Sequence, residues 1–138
     1  MGCNNCGQLG LGCRKDVCAF TEVVGDWGKI VEMKCGRDHT FMRTEHGKVY
    51  AAGWNSSGQL GLGHNSTVNT FSPVTPTEVA GVWGKIVAIE CGGSHTFMRS
   101  ENGKVYSAGR NYEGQLGLGH TNDVSIFTEV RGVLGKIV

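Results

Sequence analysis

The hexapeptide Gly-Gln-Leu-Gly-Leu-Gly occurs three times, at residues 7–12, 58–63 and 114–119, with starts 51 and then 56 residues apart. Self-similarity at such a period marks a repeat architecture, in which each unit is one supersecondary module that cannot bury its apolar face alone. Other segments keep step. Trp27-Gly28-Lys29-Ile30-Val31 returns as Trp83–Val87 and again as Leu134–Val138, and Thr21-Glu22-Val23 returns at Thr77 and Thr128. Cys35-Gly36 with His39–Arg43 returns as Cys91-Gly92 with His95–Arg99, and Gly47–Tyr50 returns as Gly103–Tyr106.

The difference between the two periods is local. From the end of the hexapeptide to Thr-Glu-Val takes nine residues in the first and third copies and fourteen in the second. Loops accept added length at small entropic cost, so a surface-loop insertion is expected over 65–76. Ser72-Pro73 and Thr75-Pro76 lie inside it, where proline stiffens a loop and exposed Ser or Thr can be phosphorylated.

Glycine supplies 23 of the 138 residues, about one in six against a usual ~7%. Each Gly inside a helix costs about 1 kcal/mol against Ala, which excludes a mostly helical protein. Two prolines and no Gly triplet exclude collagen. What remains is a turn-rich β protein. Val31, Met33 and Cys35 alternate with Glu32 and Lys34, and Val87, Ile89 and Cys91 with Ala88 and Glu90, the period of a half-buried strand. Thr40–Thr44 and Lys48–Ala52 flank Glu45-His46-Gly47. The matching turn holds Asn102-Gly103, a pair that tolerates positive φ at both residues. Thr-Glu-Val supplies a fourth strand, and the hexapeptide a tight loop whose leucines fill the space beneath.

Charge narrows the function. With 13 basic and 12 acidic side chains the net charge is +1, which argues against bulk-charge binding to nucleic acid or an anionic membrane. No apolar run reaches the roughly 18–20 residues of a membrane helix. The first residues, Met1-Gly2-Cys3-Asn4-Asn5-Cys6, lack the basic and apolar regions of a signal peptide. A reduced, intracellular chain, cytoplasmic or nuclear, is therefore expected for six cysteines. The sequons at Asn55 and Asn65 carry no weight without secretion. Met1-Gly2 suggests acylation, but Cys6 stands where the myristoylation pattern wants Ser or Thr.

The segment from Val87 to Gly119 resembles one whole repeat of the regulator of chromosome condensation family. The likeness rests on Cys91-Gly-x-x-His95-Thr96-Phe97, Gly103-Lys-Val-Tyr106, the Gly-x-Asn of Gly109-Arg110-Asn111, and the closing hexapeptide; the same set lies between Val31 and Gly63. The resemblance implies a β-propeller with seven blades of short antiparallel strands. The chain holds about 2.6 periods of this length, so an all-β, incomplete propeller is expected. Its division would be 1–30 an incomplete first blade, 31–86 a full repeat, 87–137 a second, with the next beginning near 138. Repeat arrays draw stability from neighbours, so further blades in cis, or another copy of the chain, would be needed to close the ring.

The resemblance also implies a non-enzymatic scaffold that binds a protein partner. Members of the family include nucleotide-exchange factors for the small GTPase Ran, chromatin-associated proteins, and propellers attached to ubiquitin ligases or kinases. Exchange activity there depends on several blades and a projecting β-wedge, neither of which this sequence matches. Chromatin binding is disfavoured by the near-zero charge.

Candidate chemistry is sparse. The Cys35/His39 and Cys91/His95 pairs have the residue types of a nucleophilic dyad. Duplication in adjacent repeats instead points to structure, with the cysteines as small core residues and the histidines bonded to the backbone of their own turns. Cys3-x-x-Cys6 with Cys13 and Cys18 could begin a zinc site, yet these positions align with Arg110, Glu113, His120 and Ser125 as variable loop residues. The hexapeptide reverses the dinucleotide fingerprint, and Ile30 and Ile86 stand where a P-loop needs Ser or Thr. No catalytic, metal or cofactor residue is expected. Trp27, Trp54 and Trp83 are read as packing residues or partly exposed anchors; Trp54 and Tyr112 occupy loop positions near the hexapeptide where they could touch a partner, against the commoner fate of large aromatics, packing within the fold.

Overall fold

The computed structural model describes residues 1–18, 21–75 and 84–131. These form eight strands: β1 Ile30–Cys35, β2 His39–Thr44, β3 Val49–Gly53 and β4 Val68–Val74, then β5 Ile86–Cys91, β6 His95–Ser100, β7 Val105–Gly109 and β8 Val124–Glu129. Each set of four is an antiparallel meander in chain order, β1-β2-β3-β4 and β5-β6-β7-β8. The register repeats: Met33 faces Met42 and Met42 faces Tyr50 in the first sheet, as Ile89 faces Met98 and Met98 faces Tyr106 in the second.

The β2–β3 and β6–β7 turns differ from the expected Asn-Gly pair. Among the described residues only glycines have positive φ, so Asn102 stays in the ordinary region. The N–H of Gly47 bonds to the carbonyl of Thr44, and that of Gly103 to Ser100, at 2.9 and 3.0 Å. Gly47 and Gly103 then take φ of 80° and 85°. This is a type I turn closed by a left-handed glycine bulge, which needs no tolerance at the residue before it.

The expected loop over 65–76 is corrected in part. Val68–Val74 form β4, with Ser72 opposite Ala51 and Pro73 opposite Tyr50. In the second sheet Thr128 and Glu129 hold those places, opposite Ser107 and Tyr106. Ser72 and Pro73 thus do in the first sheet what Thr-Glu does in the second, and the added length follows Val74. Pro73 lies on the outermost strand, where a missing N–H breaks no ladder. Thr77, expected to start the fourth strand, lies outside the described residues.

The two sheets meet in one direction. The face of the first that carries Phe41, Val49 and Ala51 packs on the face of the second that carries Ile89, Met98 and Phe127. Phe41 and Phe127 stand edge to face at 6.0 Å and 80°, an arrangement worth ~0.5–1.5 kcal/mol beyond its area. At the inner strands Glu32 accepts from the Ile89 N–H at 3.1 Å, and Lys34 reaches Glu90 at 3.4 Å.

The first two hexapeptides each lock onto the sheet that follows them. Gly61 has φ of 66°, and a Cβ there would lie 2.3 Å from the Phe127 ring; Gly10, with φ of 68°, stands equally close to the Phe71 ring. The neighbouring N–H groups complete the contact, Gly12 to the carbonyl of Asn69 and Gly63 to that of Ser125, both at 2.8 Å. Residues 7–12 therefore cover the outer part of the first sheet as 58–63 cover the second.

His39 also spans the sheets, rather than bonding its own turn. The Thr96 hydroxyl donates to the carbonyl of Gln59 at 2.8 Å and so receives the Nε2–H of His39 at 3.0 Å. This fixes the neutral Nε2–H tautomer and leaves Nδ1 buried without a partner. Burial first, then the neighbouring His95, lowers the His39 pKa from 6.5 to about 4, against a smaller opposing pull from Asp38.

Two outcomes follow from this packing. Gly61→Ala should destabilise the protein by about 1–3 kcal/mol more than Gly117→Ala in urea unfolding. Both positions have nearly the same φ, but a Cβ at Gly117 meets only Val130 at 3.5 Å. His39 is neutral when folded and protonated when unfolded between its two pKa values, so its contribution is complete above pH 6.5 and is lost as pH falls toward about 4. The slope attributable to it is at most ~1.4 kcal/mol per pH unit. His39→Gln should remove that slope, seen as a wild-type advantage in urea midpoint that shrinks over the same range.

Candidate partner-binding loops

The loop that leaves β3, and its counterpart leaving β7, is held by one buried asparagine. Asn55 Oδ1 accepts the Leu60 N–H at 3.0 Å, while its Nδ2 donates to the carbonyls of His64 at 2.8 Å and Ser66 at 3.0 Å. Asn111 repeats this with Leu116, His120 and Asn122 at 3.0, 2.8 and 2.9 Å. Asn4 bonds Leu9 N–H and the Cys13 carbonyl, both at 2.9 Å. Glutamine of the hexapeptide adds a second brace: Gln8, Gln59 and Gln115 accept from the N–H of Cys6, Ser57 and Glu113 at 3.0, 3.0 and 2.9 Å. The sequence did carry this signal, because an asparagine stands three residues before every hexapeptide.

These braces fix the backbone and leave the residues between them facing solvent. Trp54 is 42% exposed and Tyr112 73%. Both follow the last residue of a third strand, so they stand at the same end of their sheets. The Trp54 N–H bonds to the carbonyl of Asp38 at 2.8 Å, and that of Arg110 to Ser94 at 2.9 Å, which ties each loop to the β1–β2 or β5–β6 turn beside it. Those two turns touch, the Arg37 N–H reaching the carbonyl of Gly93 at 3.3 Å. The Arg110 guanidinium lies over the Tyr112 ring at 5.2 Å. The resulting rim carries Arg37, Trp54, Arg110 and Tyr112. Trp27, by contrast, packs against Tyr50 and Phe71 at 6.0 and 5.9 Å, and Trp83 lies outside the described residues.

The cysteines separate by environment. Cys35 is exposed and not a core residue, because its side of β1 faces away from the second sheet. Its counterpart Cys91 is half-buried against the core, and burial pushes its thiol up to about 12, far from a reactive thiolate. Cys3 and Cys18 are exposed, Cys6 and Cys13 half-buried, and all are free thiols. Burial and the nearby Asp38 raise the Cys6 pKa. Among the described residues no three His, Cys, Asp or Glu side chains converge as a metal cluster would require, and no helix is long and apolar enough to cross a membrane. His95 has its pKa lowered by burial.

The sequence matches the regulator of chromosome condensation (RCC1) repeat over residues 1–42, 46–98 and 102–137. It is 37% identical over 138 residues to the X-linked retinitis pigmentosa GTPase regulator of Homo sapiens, covering 99% of this chain and 13% of that protein. To the secretion-regulating guanine nucleotide exchange factor of Bos taurus it is 38% identical over 122 residues, covering 86% of this chain and 25% of that one. The structure of human WBSCR16 superposes with a TM-score of 0.81 at 25% identity, over 97% of this chain and 34% of that chain. Prp20p of Saccharomyces cerevisiae, solved with a study of its binding to Gsp1p and histones, superposes at 0.72 with 19% identity, over 96% and 33%. The chain thus spans about a third or less of the proteins it matches. Matched repeats along nearly its whole length, on two superposable four-stranded blades, place this chain in the regulator of chromosome condensation repeat family.

Proposed function

We propose that the chain is a non-enzymatic scaffold that binds a protein partner through the rim formed by the loops after β3 and β7. The observation that carries this reading is how the polar groups are spent. Apart from His39 Nδ1, every buried side-chain nitrogen and oxygen among the described residues has a hydrogen-bond partner, and the asparagine and glutamine braces spend theirs on loop geometry. The rim meanwhile offers tryptophan, tyrosine and arginine, the residue types that dominate binding hot spots. Blade boundaries at 1–30, 31–86 and 87–137 fit this reading, with the rim loops inside the repeats. Six free thiols suit a reducing intracellular compartment, cytoplasmic or nuclear.

The second reading is nucleotide exchange on a Ran-like GTPase, favoured by relatives described as a GTPase regulator and a guanine nucleotide exchange factor. A third is association with chromatin. A nucleotide-release assay with a Ran-type GTPase separates the first two: the 138-residue chain should leave the release rate unchanged, and a robust acceleration would replace the scaffold reading. Salt-dependent retention on DNA would favour the third. For the scaffold itself, Trp54→Ala combined with Tyr112→Ala should weaken the complex with a captured protein partner at least tenfold, as hot-spot truncation does, with an unchanged urea midpoint. Retained affinity would remove the rim from the interface.

A further inference from the structure

The inserted segment of the second repeat begins beside a cationic crevice. Val49 pairs with Val74 and Tyr50 with Pro73 across β3 and β4. One step further along that register Lys48 stands opposite Thr75, and facing residues of an antiparallel pair have Cβ atoms about 4.5–5.5 Å apart. Lys85 reaches the same place from the segment that enters β5. The Ile86 N–H meets the Gly47 carbonyl at 3.4 Å, and a Cβ on Gly47 would strike the Lys85 side chain. His46, Lys48, Tyr50, Pro73, Thr75 and Lys85 line the resulting crevice of about 380 Å³, and its lining holds no carboxylate. Lys48 and Lys85 are exposed and form no ion pair with any described residue. Glu45 lies beside the crevice but pairs with His46 at 3.6 Å, and Glu101 meets Lys85 through its backbone N–H, 2.8 Å from the Lys85 carbonyl.

Thr75 supplies a hydroxyl to this crevice. It is exposed and lies one residue beyond β4, with Pro76 next in sequence. Ser72, which precedes the other proline, is half-buried within β4 opposite Ala51, and its hydroxyl donates to the Thr70 carbonyl at 3.2 Å. A modifying enzyme takes its substrate as an extended segment free of sheet pairing, which Thr75 offers and Ser72 does not. The place is particular to this repeat. In the second sheet the register that sets Tyr106 against Glu129 brings Arg131 to the position of Thr75, and Arg131 pairs with Glu129 at 3.5 Å.

We propose that Thr75 is a phosphorylation site and that Lys48 and Lys85 hold its phosphate in the crevice. Thr75 Oγ1 attacks the γ-phosphorus of ATP on a proline-directed kinase, the bond to the β,γ-bridging oxygen breaks, ADP leaves, and the hydroxyl proton passes to the kinase's general base. The product carries about −1.5 to −2 charges and three acceptor oxygens, which ammonium groups on two sides satisfy. Lys48 belongs to the first sheet and Lys85 to the segment that enters the second, so the modified residue ties the start of the insertion to both. The crevice lies at the end of β3 opposite the Trp54 loop, so the proposal stands apart from the partner-binding rim.

The full chain, incubated with ATP and a purified proline-directed kinase, tests the acceptor by peptide mass spectrometry. Phosphate should appear at Thr75 ahead of Ser72. No phosphate at Thr75, or modification of Ser72 first, overturns the proposal. Urea unfolding of the chain with phosphothreonine incorporated at Thr75 then reads the receiving groups. The folded-to-unfolded ratio should rise about fivefold at low salt. That gain should fall by about half or more at roughly 1 M salt, where the screening length is about 3 Å. Lys48→Ala combined with Lys85→Ala should abolish the gain, and Lys104→Ala, on the second sheet, should leave it intact. A midpoint unmoved or lowered by the phosphate, or a gain that survives the loss of both lysines, overturns the proposal.

Discussion

The fold depends on glycine lying flat against an aromatic ring. Gly10 sits on Phe71 and Gly61 on Phe127, each at a distance that any side chain would violate. The same glycines hold positive φ, so the residue type is fixed twice, by backbone conformation and by the space above it. The leucine between the first two glycines lies beneath the loop, and Leu60 and Leu116 are fully buried. A short polar-looking loop thereby becomes the element that joins one sheet to the next.

Seating a loop in this way brings backbone groups out of water, and they require partners. The buried asparagine meets that demand with one accepted and two donated bonds to the turning chain. His39 solves the equivalent problem at the sheet boundary. Its bond to Thr96 requires a proton on Nε2, because Thr96 has already given its own proton to Gln59. Burial between the sheets depresses its pKa, and in the same place a chain of hydrogen bonds runs from a histidine on one sheet, through a threonine on the next, to the hexapeptide between them.

The repeat made the architecture legible. Strict alternation at Val31, Met33 and Cys35 marked a strand, and the return of whole motifs marked the blade. Matching letters do not fix strand places where the chain reuses a position with different residues: Ser72 and Pro73 stand opposite Ala51 and Tyr50 as Thr128 and Glu129 stand opposite Ser107 and Tyr106, because register is set by distance from β3, not by identity. Cys35 departs from the expected core position for a related reason. Its alternation is that of Cys91, yet only Cys91 has a sheet on that side. Periodicity reports which side of a strand a residue takes and says nothing of whether a neighbour is there. His39 was legible as structural, but its partner lies 57 residues away on another sheet, beyond what local turn chemistry can reveal.

The positions that vary between copies lie between positions that cannot. Cys3, Trp54 and Arg110 share one place in the repeat, each immediately before the bracing asparagine, and Asn5, Ser56 and Tyr112 share the place just after it. The braces act through backbone amides and carbonyls, so they hold the loop equally well whichever side chain it carries. Such a loop can change its chemistry without loosening its conformation, and a side chain held at a fixed place by a rigid support loses less entropy on binding than one on a mobile loop. The blade therefore separates two tasks within four residues of sequence. Asparagine and glycine hold the backbone, and the neighbours they pin outward are free to differ from blade to blade.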